Sequence, residues 1–212
     1  MTTCPPPIPQ SEFRSTGLPV LPVRRKKHPL AHLGFLLLIC VVCSMFILQS
    51  SRHTSSSGWD PSLKEKIIET AREYGIEDHT DELLAIVTVE SNGQAEDVFQ
   101  SSESLGLPPN TLNRDESIRQ GIEYYKSLLD RAAELGVDQD AVFQAYNFGI
   151  GYLDYVAANG GIHTRELAEQ FSKDYSQGKI VSYPNPVAVN ANGGWRYQYG
   201  NMFYVDLIHE VL

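Results

Sequence analysis

Residues 80–110 read TDELLAIVTVESNGQAEDVFQSSESLGLPPN. In the first half of this stretch, the apolar positions and Glu90 recur at three- and four-residue spacing, which predicts a helix whose apolar stripe ends in a carboxylate. Thr80 is expected to cap this helix and Asn92 to end it. The stretch therefore predicts a helical domain with an acidic group at the end of a buried helix face.

The position of Glu90 on an apolar face has a chemical consequence. Desolvation disfavours the charged form of a carboxyl group and raises its pKa. Such a group can donate a proton near neutral pH, which is what the acid of a glycosidase must do. If the helix frays at its end, however, Glu90 points into solvent and has no such role, and the spacing alone leaves both interpretations open.

Similar start and stop signals predict helices along the rest of the chain. Asp60 and Pro61 are expected to begin the first helix, over about residues 61–74, and Asp115 to cap a long helix that ends at Gly136. Further helices are predicted at about residues 138–146, 150–158, 164–175 and 201–211, with a long loop at 181–194. Strand-like alternation is almost absent, so the predicted fold class is all-α or nearly so.

The N-terminal part of the chain predicts a membrane anchor. Residues 30–48 contain no charged side chain, and as a helix rising about 1.5 Å per residue they span roughly 28 Å, enough to cross a bilayer. The basic run at 24–27 places the N-terminus in the cytoplasm. A cleaved signal peptide is the alternative, although no small-residue cleavage site is found here.

The predicted organisation follows from this anchor. Residues 1–29 form a proline-rich, disordered cytoplasmic tail, residues 30–50 a single transmembrane helix and residues 51–58 a polar tether. Residues 59–212 form one extracellular domain, which is long enough to bury its own core. The expected location is thus the cell membrane, with the folded domain on its outer face.

Charge and cysteine content exclude several function classes. Beyond Ser50, 12 Lys and Arg accompany 25 Asp and Glu, so nucleic acid is not an expected partner, because phosphate binding requires clustered basic residues. All three cysteines, Cys4, Cys40 and Cys43, lie in the tail or the anchor, which leaves the outer domain without a thiol nucleophile. The sequence has no H-E-x-x-H pair and no P-loop, and we expect neither a metal nor a cofactor.

Two segments resemble a known family. The run E-S-x5-D-x-x-Q-S-S-E-S begins at Glu90, and A-Y-N-x-G occupies residues 145–149. Together they resemble the lysozyme-like domain of Gram-positive wall hydrolases, including the muramidase half of bifunctional conjugation hydrolases, and the second segment is similar to one in lytic transglycosylases. The resemblance covers roughly residues 59–212 and implies a lysozyme-like helical domain that binds peptidoglycan glycan strands.

The resemblance also implies roles for individual residues. Glu90 matches the catalytic acid of the family and Asp97 its second carboxylate, which would stabilise an oxocarbenium-like state or activate water. The substrate-binding residues expected on this basis are Gln100, Ser101, Ser102, Glu103, Tyr146 and Asn147. Transglycosylases carry a G-L-M-Q loop where this chain has Asp97 to Gln100, and the second carboxylate favours hydrolysis.

Each of these roles has a plainer alternative. Asp97 is also a common turn residue that bonds nearby backbone groups, and Glu103 either supports the loop or accepts a hydrogen bond from a sugar. Tyr146 suits stacking on a sugar, but it is equally a residue type found in cores, with Asn147 ending the helix. The aromatic residues Trp195, Tyr197 and Tyr199 form either a further sugar platform or packing for the last helix.

The sequence therefore predicts an N-acetylmuramidase that cleaves the β-1,4 bond after N-acetylmuramic acid during wall remodelling or cell division. Division or wall-synthesis proteins are candidate partners. One alternative is a lytic transglycosylase that leaves 1,6-anhydro ends. Another is a non-catalytic peptidoglycan-binding division scaffold.

Overall fold

The computed structural model describes residues 60–212, so the predicted tail, membrane anchor and tether lie outside the described part of the chain. Within that part the domain is mostly helical, which confirms the predicted secondary-structure class. None of the described helices combines the length and apolar character that crossing a bilayer requires.

The described helices are α1 (Pro61–Glu73), α2 (Thr80–Ser91), α3 (Arg114–Leu135), α4 (Gln139–Phe148), α5 (Gly151–Ala158), α6 (Arg165–Tyr175), α7 (Pro186–Asn192) and α8 (Tyr204–His209). Two short 3-10 turns, at Glu77–His79 and Ser101–Leu105, and two strands, β1 (Ile180–Ser182) and β2 (Trp195–Tyr197), complete the elements.

The ends of the first two helices follow from local hydrogen bonds. The Asp60 side chain accepts from the backbone N–H of Ser62 at 3.0 Å, as expected of the cap of α1. Asn92 ends α2 in the left-handed conformation, with φ of 51°. The predicted capping role of Thr80 is wrong, because its hydroxyl donates to the carbonyl of Glu77 at 2.6 Å in the preceding turn.

The start of α3 also differs from its prediction. Asn113, and not Asp115, is the cap: its side chain accepts from the N–H of Glu116, while the Glu116 carboxylate accepts from the N–H of Asn113, both at 3.1 Å. This reciprocal pair satisfies two N–H groups that a helix start otherwise leaves without partners. Gly136 ends α3 with φ of 67°, as predicted.

The predicted loop at 181–194 is wrong. Strands β1 and β2 pair antiparallel, with Ile180 opposite Tyr197 and Ser182 opposite Trp195, and α7 lies between them. Three-residue strands are too short to show the alternation on which strand prediction depends. The last helix, α8, is likewise shorter than the predicted 201–211.

Helix α4 lies at the centre of the core. Most of its residues are buried, because α3, α5 and α8 all pack against it. Helix α8 also contacts α2. The C-terminal end of the chain is thereby brought to the helix that carries Glu90.

Helix α3 approaches the segment before the Ser101–Leu105 turn unusually closely at Gly121. A Cβ atom at this position would lie 2.3 Å from Cγ of Phe99, whose side chain is fully buried. Glycine is therefore needed here for lack of space. The contact fixes the distance between α3 and the chain that leads to Gln100.

We expect Gly121→Ala to destabilise the domain by about 1–3 kcal/mol, because the added methyl group forces Phe99 to move in a close-packed core. Chemical denaturation of the full-length protein would measure the change. The matched control is Gly151→Ala, since a Cβ there meets nothing within 4 Å. Equal stability of the two variants would contradict the packing argument.

Candidate active site

A cleft of about 570 Å³ opens beside the end of α2. Its wall combines carboxylates, amides and aromatic rings, and Lys and Arg are absent from it. The residues that line it are Glu90, Gln100, Ser101, Glu103, Ser104, Tyr124, Tyr146, Asn147, Phe148, Gly149, Tyr199 and Gly200.

Glu90 is the penultimate residue of α2 and is partly buried in this cleft. Burial raises the pKa of its carboxyl group to about 7, and the negative charges of Asp97 and Glu103 act in the same direction. A hydrogen bond from the Tyr204 hydroxyl to Oε1, at 2.7 Å, partly opposes the rise in pKa. The carboxyl group can therefore hold and release a proton near neutral pH.

Tyr204 was not foreseen as a site residue. It is the first residue of α8, is buried, and lies 114 positions after Glu90 in the sequence. Burial and the neighbouring Glu90 charge raise the pKa of its hydroxyl well above the ordinary value, so it stays a proton donor to the carboxylate. Only the packing of α8 against α2 brings the two groups together.

Asp97 lies outside the lining of the cleft and is fully buried. Its carboxylate accepts from the N–H groups of Ser101 and Ser102, at 2.9 and 3.1 Å, and from the hydroxyl of Ser117, at 2.7 Å. The Ser102 hydroxyl also donates to it. These bonds occupy both carboxylate oxygens, which corrects the expectation that Asp97 faces the substrate.

The pKa of Asp97 reflects the same surroundings. Burial by itself raises the pKa of this carboxyl, but the hydrogen bonds from Ser102, Ser117 and the backbone of Ser101 outweigh that effect and lower it. Asp97 is therefore an internally bonded group that is charged at neutral pH. It occupies the turn-forming position that was the plainer alternative for this residue.

Ser101 and Ser102 divide between two roles. Ser101 lines the cleft, although its hydroxyl also bonds the Ser117 carbonyl at 3.1 Å. Ser102 is fully buried and lies outside the lining, and its hydroxyl oxygen accepts from the N–H of Thr111 at 3.0 Å. The structure thus places Ser102, expected to bind substrate, in the support of the loop instead.

Gln100 lines the cleft in a left-handed conformation, with φ of 47°. Its Nε2 donates to the carbonyl of Asp97 and to Oδ1 of Asn110, both at 2.9 Å. These bonds fix the orientation of the amide. Within residues 60–212, nothing donates to its Oε1, which leaves that oxygen for a ligand.

Tyr146 and Asn147 both reach the cleft, as predicted, but Tyr146 offers little surface there. Its ring is about nine-tenths buried, and its hydroxyl donates to the carbonyl of Phe99 at 3.0 Å. The Oδ1 of Asn147 accepts from the N–H of Asn201 at 2.6 Å. Among the described residues its Nδ2 has no acceptor, so this N–H group is available to a ligand.

Glu103 is the second carboxylate in the cleft wall. It is exposed on the Ser101–Leu105 turn, and its charge contributes to the raised pKa of Glu90. The neighbouring Ser104 donates to the carbonyl of Ser101 at 2.6 Å, which keeps the turn compact. Glu90 and Glu103 are thus the two carboxylates of the described residues that line the cleft.

Aromatic residues form the other side of the cleft. Tyr124 was not predicted to lie there, and burial raises the pKa of its hydroxyl to about 12. Tyr199 also lines the cleft, whereas Tyr197 is buried and Trp195 packs edge-on against it at 5.2 Å. Of the three aromatic residues considered as a sugar platform, the structure thus brings one to the site.

Comparisons with known proteins identify the family. The family model described as Lysozyme-like matches residues 62–212. The uncharacterized membrane protein YocA of Bacillus subtilis is 35% identical over 151 residues, which cover 69% of this chain and 65% of YocA. The bifunctional muramidase/DL-endopeptidase CwlT of the same organism is 44% identical over 137 residues, covering 64% of this chain and 36% of CwlT.

A solved structure agrees with these relatives. It is a Staphylococcus aureus protein described as similar to a lipoprotein of the NLP/P60 family, with a TM-score of 0.70 and 54% sequence identity. The match covers 73% of this chain and 53% of that protein. The chain therefore spans less than two thirds of the length of each of these three relatives. The match along residues 62–212 shows that this chain belongs to the lysozyme-like family.

Proposed function

We propose that this chain is an N-acetylmuramidase that cleaves the β-1,4 bonds of peptidoglycan glycan strands. The observation that carries the proposal is Glu90, a partly buried carboxyl group with a pKa raised to about 7, which faces a cleft lined by amides and aromatic rings. Glycosidase acids need such a pKa, because the acid must be protonated to release the leaving sugar. Membership of the lysozyme-like family and the similarity to the muramidase/endopeptidase CwlT support the choice of substrate.

The reaction follows from the two carboxylates in the cleft wall. Glu90 transfers its proton to the glycosidic oxygen as the bond from that oxygen to C1 breaks, which leaves an oxocarbenium-like sugar. A water molecule adds to C1 and gives a proton to Glu103, and a later exchange with solvent restores both groups. Gln100 Oε1 and Asn147 Nδ2, both without partners among the described residues, hold the sugar substituents as acceptor and donor.

Asp97 acts in this proposal as a positioning residue. Its buried carboxylate bonds the backbone of Ser101 and Ser102 and the side chain of Ser117. It thereby ties the turn that carries Glu103 to helix α3. A charge buried in this way favours a single arrangement of its donors, because any alternative leaves the carboxylate without partners.

A lytic transglycosylase is the second candidate. It requires one acid, and Glu90 is the one carboxylate of the described cleft with a raised pKa. In that reaction the 6-hydroxyl of the muramic acid takes the place of water at C1. The exposed Glu103 favours hydrolysis, since it lies in the same wall and can accept the proton of an attacking water molecule.

The proposed location is the outer face of the cell membrane. Residues 30–50 are the anchor and residues 51–58 the tether in this proposal, which the naming of the relative YocA as a membrane protein supports. The cleft then acts on glycan close to the membrane, where division and wall-synthesis proteins are candidate partners.

The pH dependence of cleavage tests the role of Glu90. We expect full-length protein to release reducing ends from insoluble peptidoglycan, with a rate that falls as the pH rises through about 7 and Glu90 loses its proton. Glu90→Gln should lower the rate by at least about 100-fold. In Tyr204→Phe, the loss of a hydrogen bond that lowers the Glu90 pKa should move the fall in rate to higher pH.

The control for Tyr204→Phe is Tyr74→Phe. Tyr74 also bonds a glutamate, Glu123 at 3.4 Å, but lies outside the cleft lining. This control variant should retain the parent profile. The assignment would be overturned if the fall in cleavage rate at high pH occurred at the same pH in Tyr204→Phe as in the parent. It would also be overturned if Glu90→Gln protein still cleaved peptidoglycan.

The chemical nature of the products separates the two candidate reactions. Mass spectrometry of released muropeptides should show hydrolysed ends for the parent protein, each one water heavier than a 1,6-anhydro end. Glu103→Gln should lower hydrolysis by about 10²- to 10⁴-fold, since a general base is lost. The matched control is Glu65→Gln on the exposed face of α1, and anhydro products from the parent would favour the transglycosylase.

Unfolding measurements test the structural role of Asp97. We expect Asp97→Asn to lower the free energy of unfolding at pH 7 by about 2–4 kcal/mol, because the amide disrupts a buried set of charge-assisted hydrogen bonds. Since the folded-state pKa of Asp97 is lowered, its stabilising contribution is present above about pH 4 and is lost as the pH falls through the folded pKa. The parent protein should therefore lose more stability than the variant on acidification.

A different pair of results would show that Asp97 acts in the reaction itself. If Asp97→Asn unfolds at the parent denaturant concentration but cleaves peptidoglycan at least about 100-fold more slowly, the carboxylate acts on the substrate and not on the turn. Asp115→Asn, which replaces an exposed carboxylate near the start of α3, is the control for the substitution itself.

A further inference from the structure

One aromatic side chain of the described domain is exposed. Tyr175, the last residue of α6, has 61% of its surface accessible, while the other aromatic residues in 60–212 are buried or partly buried. Tyrosine combines an apolar ring with a polar hydroxyl and is enriched at binding interfaces for that reason. The position of Tyr175 relative to the cleft indicates what it binds.

The Tyr175 ring is held firmly on its inner side. Its centroid lies 4.4 Å from that of Phe171 and 4.9 Å from that of Tyr199, with an interplanar angle of 32° in both cases. Phe171 is buried and stacks in turn on Phe148 at 5.4 Å. The exposed ring is therefore the outermost member of a packed aromatic cluster.

This cluster is continuous with the cleft. Tyr199 and Phe148 both line it, and the Tyr199 hydroxyl donates to the Phe148 carbonyl at 2.7 Å. The hydroxyl of Ser172, on the same helix as Tyr175, donates to the carbonyl of Tyr199. The Tyr175 ring therefore adjoins the wall of the cleft at Tyr199.

We propose that Tyr175 forms a distal saccharide subsite, in which its ring stacks against a pyranose of the glycan strand whose reacting bond lies at Glu90. This inference rests on the proposed glycan substrate and extends its binding beyond the cleft. The C–H face of a pyranose is apolar and its edge carries hydroxyls, so an aromatic ring with a polar tip complements it.

The surroundings of Tyr175 favour a sugar over a protein partner. The neighbouring residues Lys173, Asp174, Gln177 and Lys179 are exposed and polar. A protein interface usually needs an apolar patch of several hundred Å². A single ring with polar neighbours is suited to one sugar ring, with the adjacent side chains bonding its hydroxyls.

Binding of glycan fragments of different lengths tests the proposal. In full-length Glu90→Gln protein, which should bind without cleaving, calorimetry would measure affinity for peptidoglycan-derived oligosaccharides from two to eight sugars. Adding Tyr175→Ala should weaken binding of the longest fragments by about 3- to 10-fold and leave the disaccharide unchanged. Tyr175→Phe should keep the affinity, because the ring supplies the contact.

Ile162→Ala is the matched control, since Ile162 is 62% exposed and lies before the other end of α6. In the Glu90→Gln background it should leave the affinity for every fragment unchanged. If Tyr175→Ala binds the long fragments as tightly as the Glu90→Gln protein that retains Tyr175, the subsite is refuted and a protein partner is the remaining explanation for the exposed ring. An equal loss at every length, or a parent that binds no fragment, would also overturn it.

The outcomes distinguish this inference from the proposed activity. Protein with Glu90 intact that cleaves nothing, combined with a length-dependent effect of Tyr175→Ala, would refute the muramidase and retain the subsite. If the protein with Glu90 intact cleaves peptidoglycan but the effect of Tyr175→Ala does not depend on fragment length, the muramidase is supported and the subsite is refuted. The thermal unfolding temperature of each variant, compared with that of the unsubstituted protein, checks that the fold is retained when the ring is removed.

Discussion

The buried carboxylate of Asp97 is the constraint on which the rest of the site depends. A charge with no solvent contact must be satisfied by hydrogen bonds within the protein, and here the donors come from Ser101, Ser102 and Ser117. Two of these donors lie in the turn that begins after Gln100, and the third lies on α3. The carboxylate thus joins a loop to a helix and determines which loop side chains face the cleft.

Glu90 and Asp97 lie seven positions apart and have opposite electrostatic surroundings. Glu90 loses solvent, gains one hydrogen bond and lies near other negative charges, so its pKa rises to about 7. Asp97 loses solvent as well, but several donors converge on it and its pKa falls. The division into a group that carries a proton near pH 7 and one that is charged there therefore comes from hydrogen-bond number and not from residue type.

Packing around α4 brings the remaining parts of the site together. Helices α3 and α8 both contact α4, and the close approach of Gly121 to Phe99 holds the turn against α3. Tyr146 on α4 donates to the Phe99 carbonyl, so the same segment is held from both sides. The cleft combines helix and loop residues. It keeps a defined shape because the loop that lines it is bonded to buried helices.

The sequence by itself determined the helices, the ends of several of them, and the two segments that carry Glu90 and Asn147, because apolar periodicity, caps and short motifs are local signals. It also identified the family to which the chain belongs. Only the tertiary structure decided that Asp97 is turned into the protein while Glu103 faces the cleft, since a turn flanked by the left-handed residues Gln100 and Gly106 sets side-chain directions that spacing does not reveal. The partnership of Glu90 with Tyr204, 114 residues apart, and the addition of Tyr124 and Tyr199 to the cleft were likewise decided by packing. Contacts between distant segments depend on how buried surfaces fit together, and no local pattern in the chain records that fit.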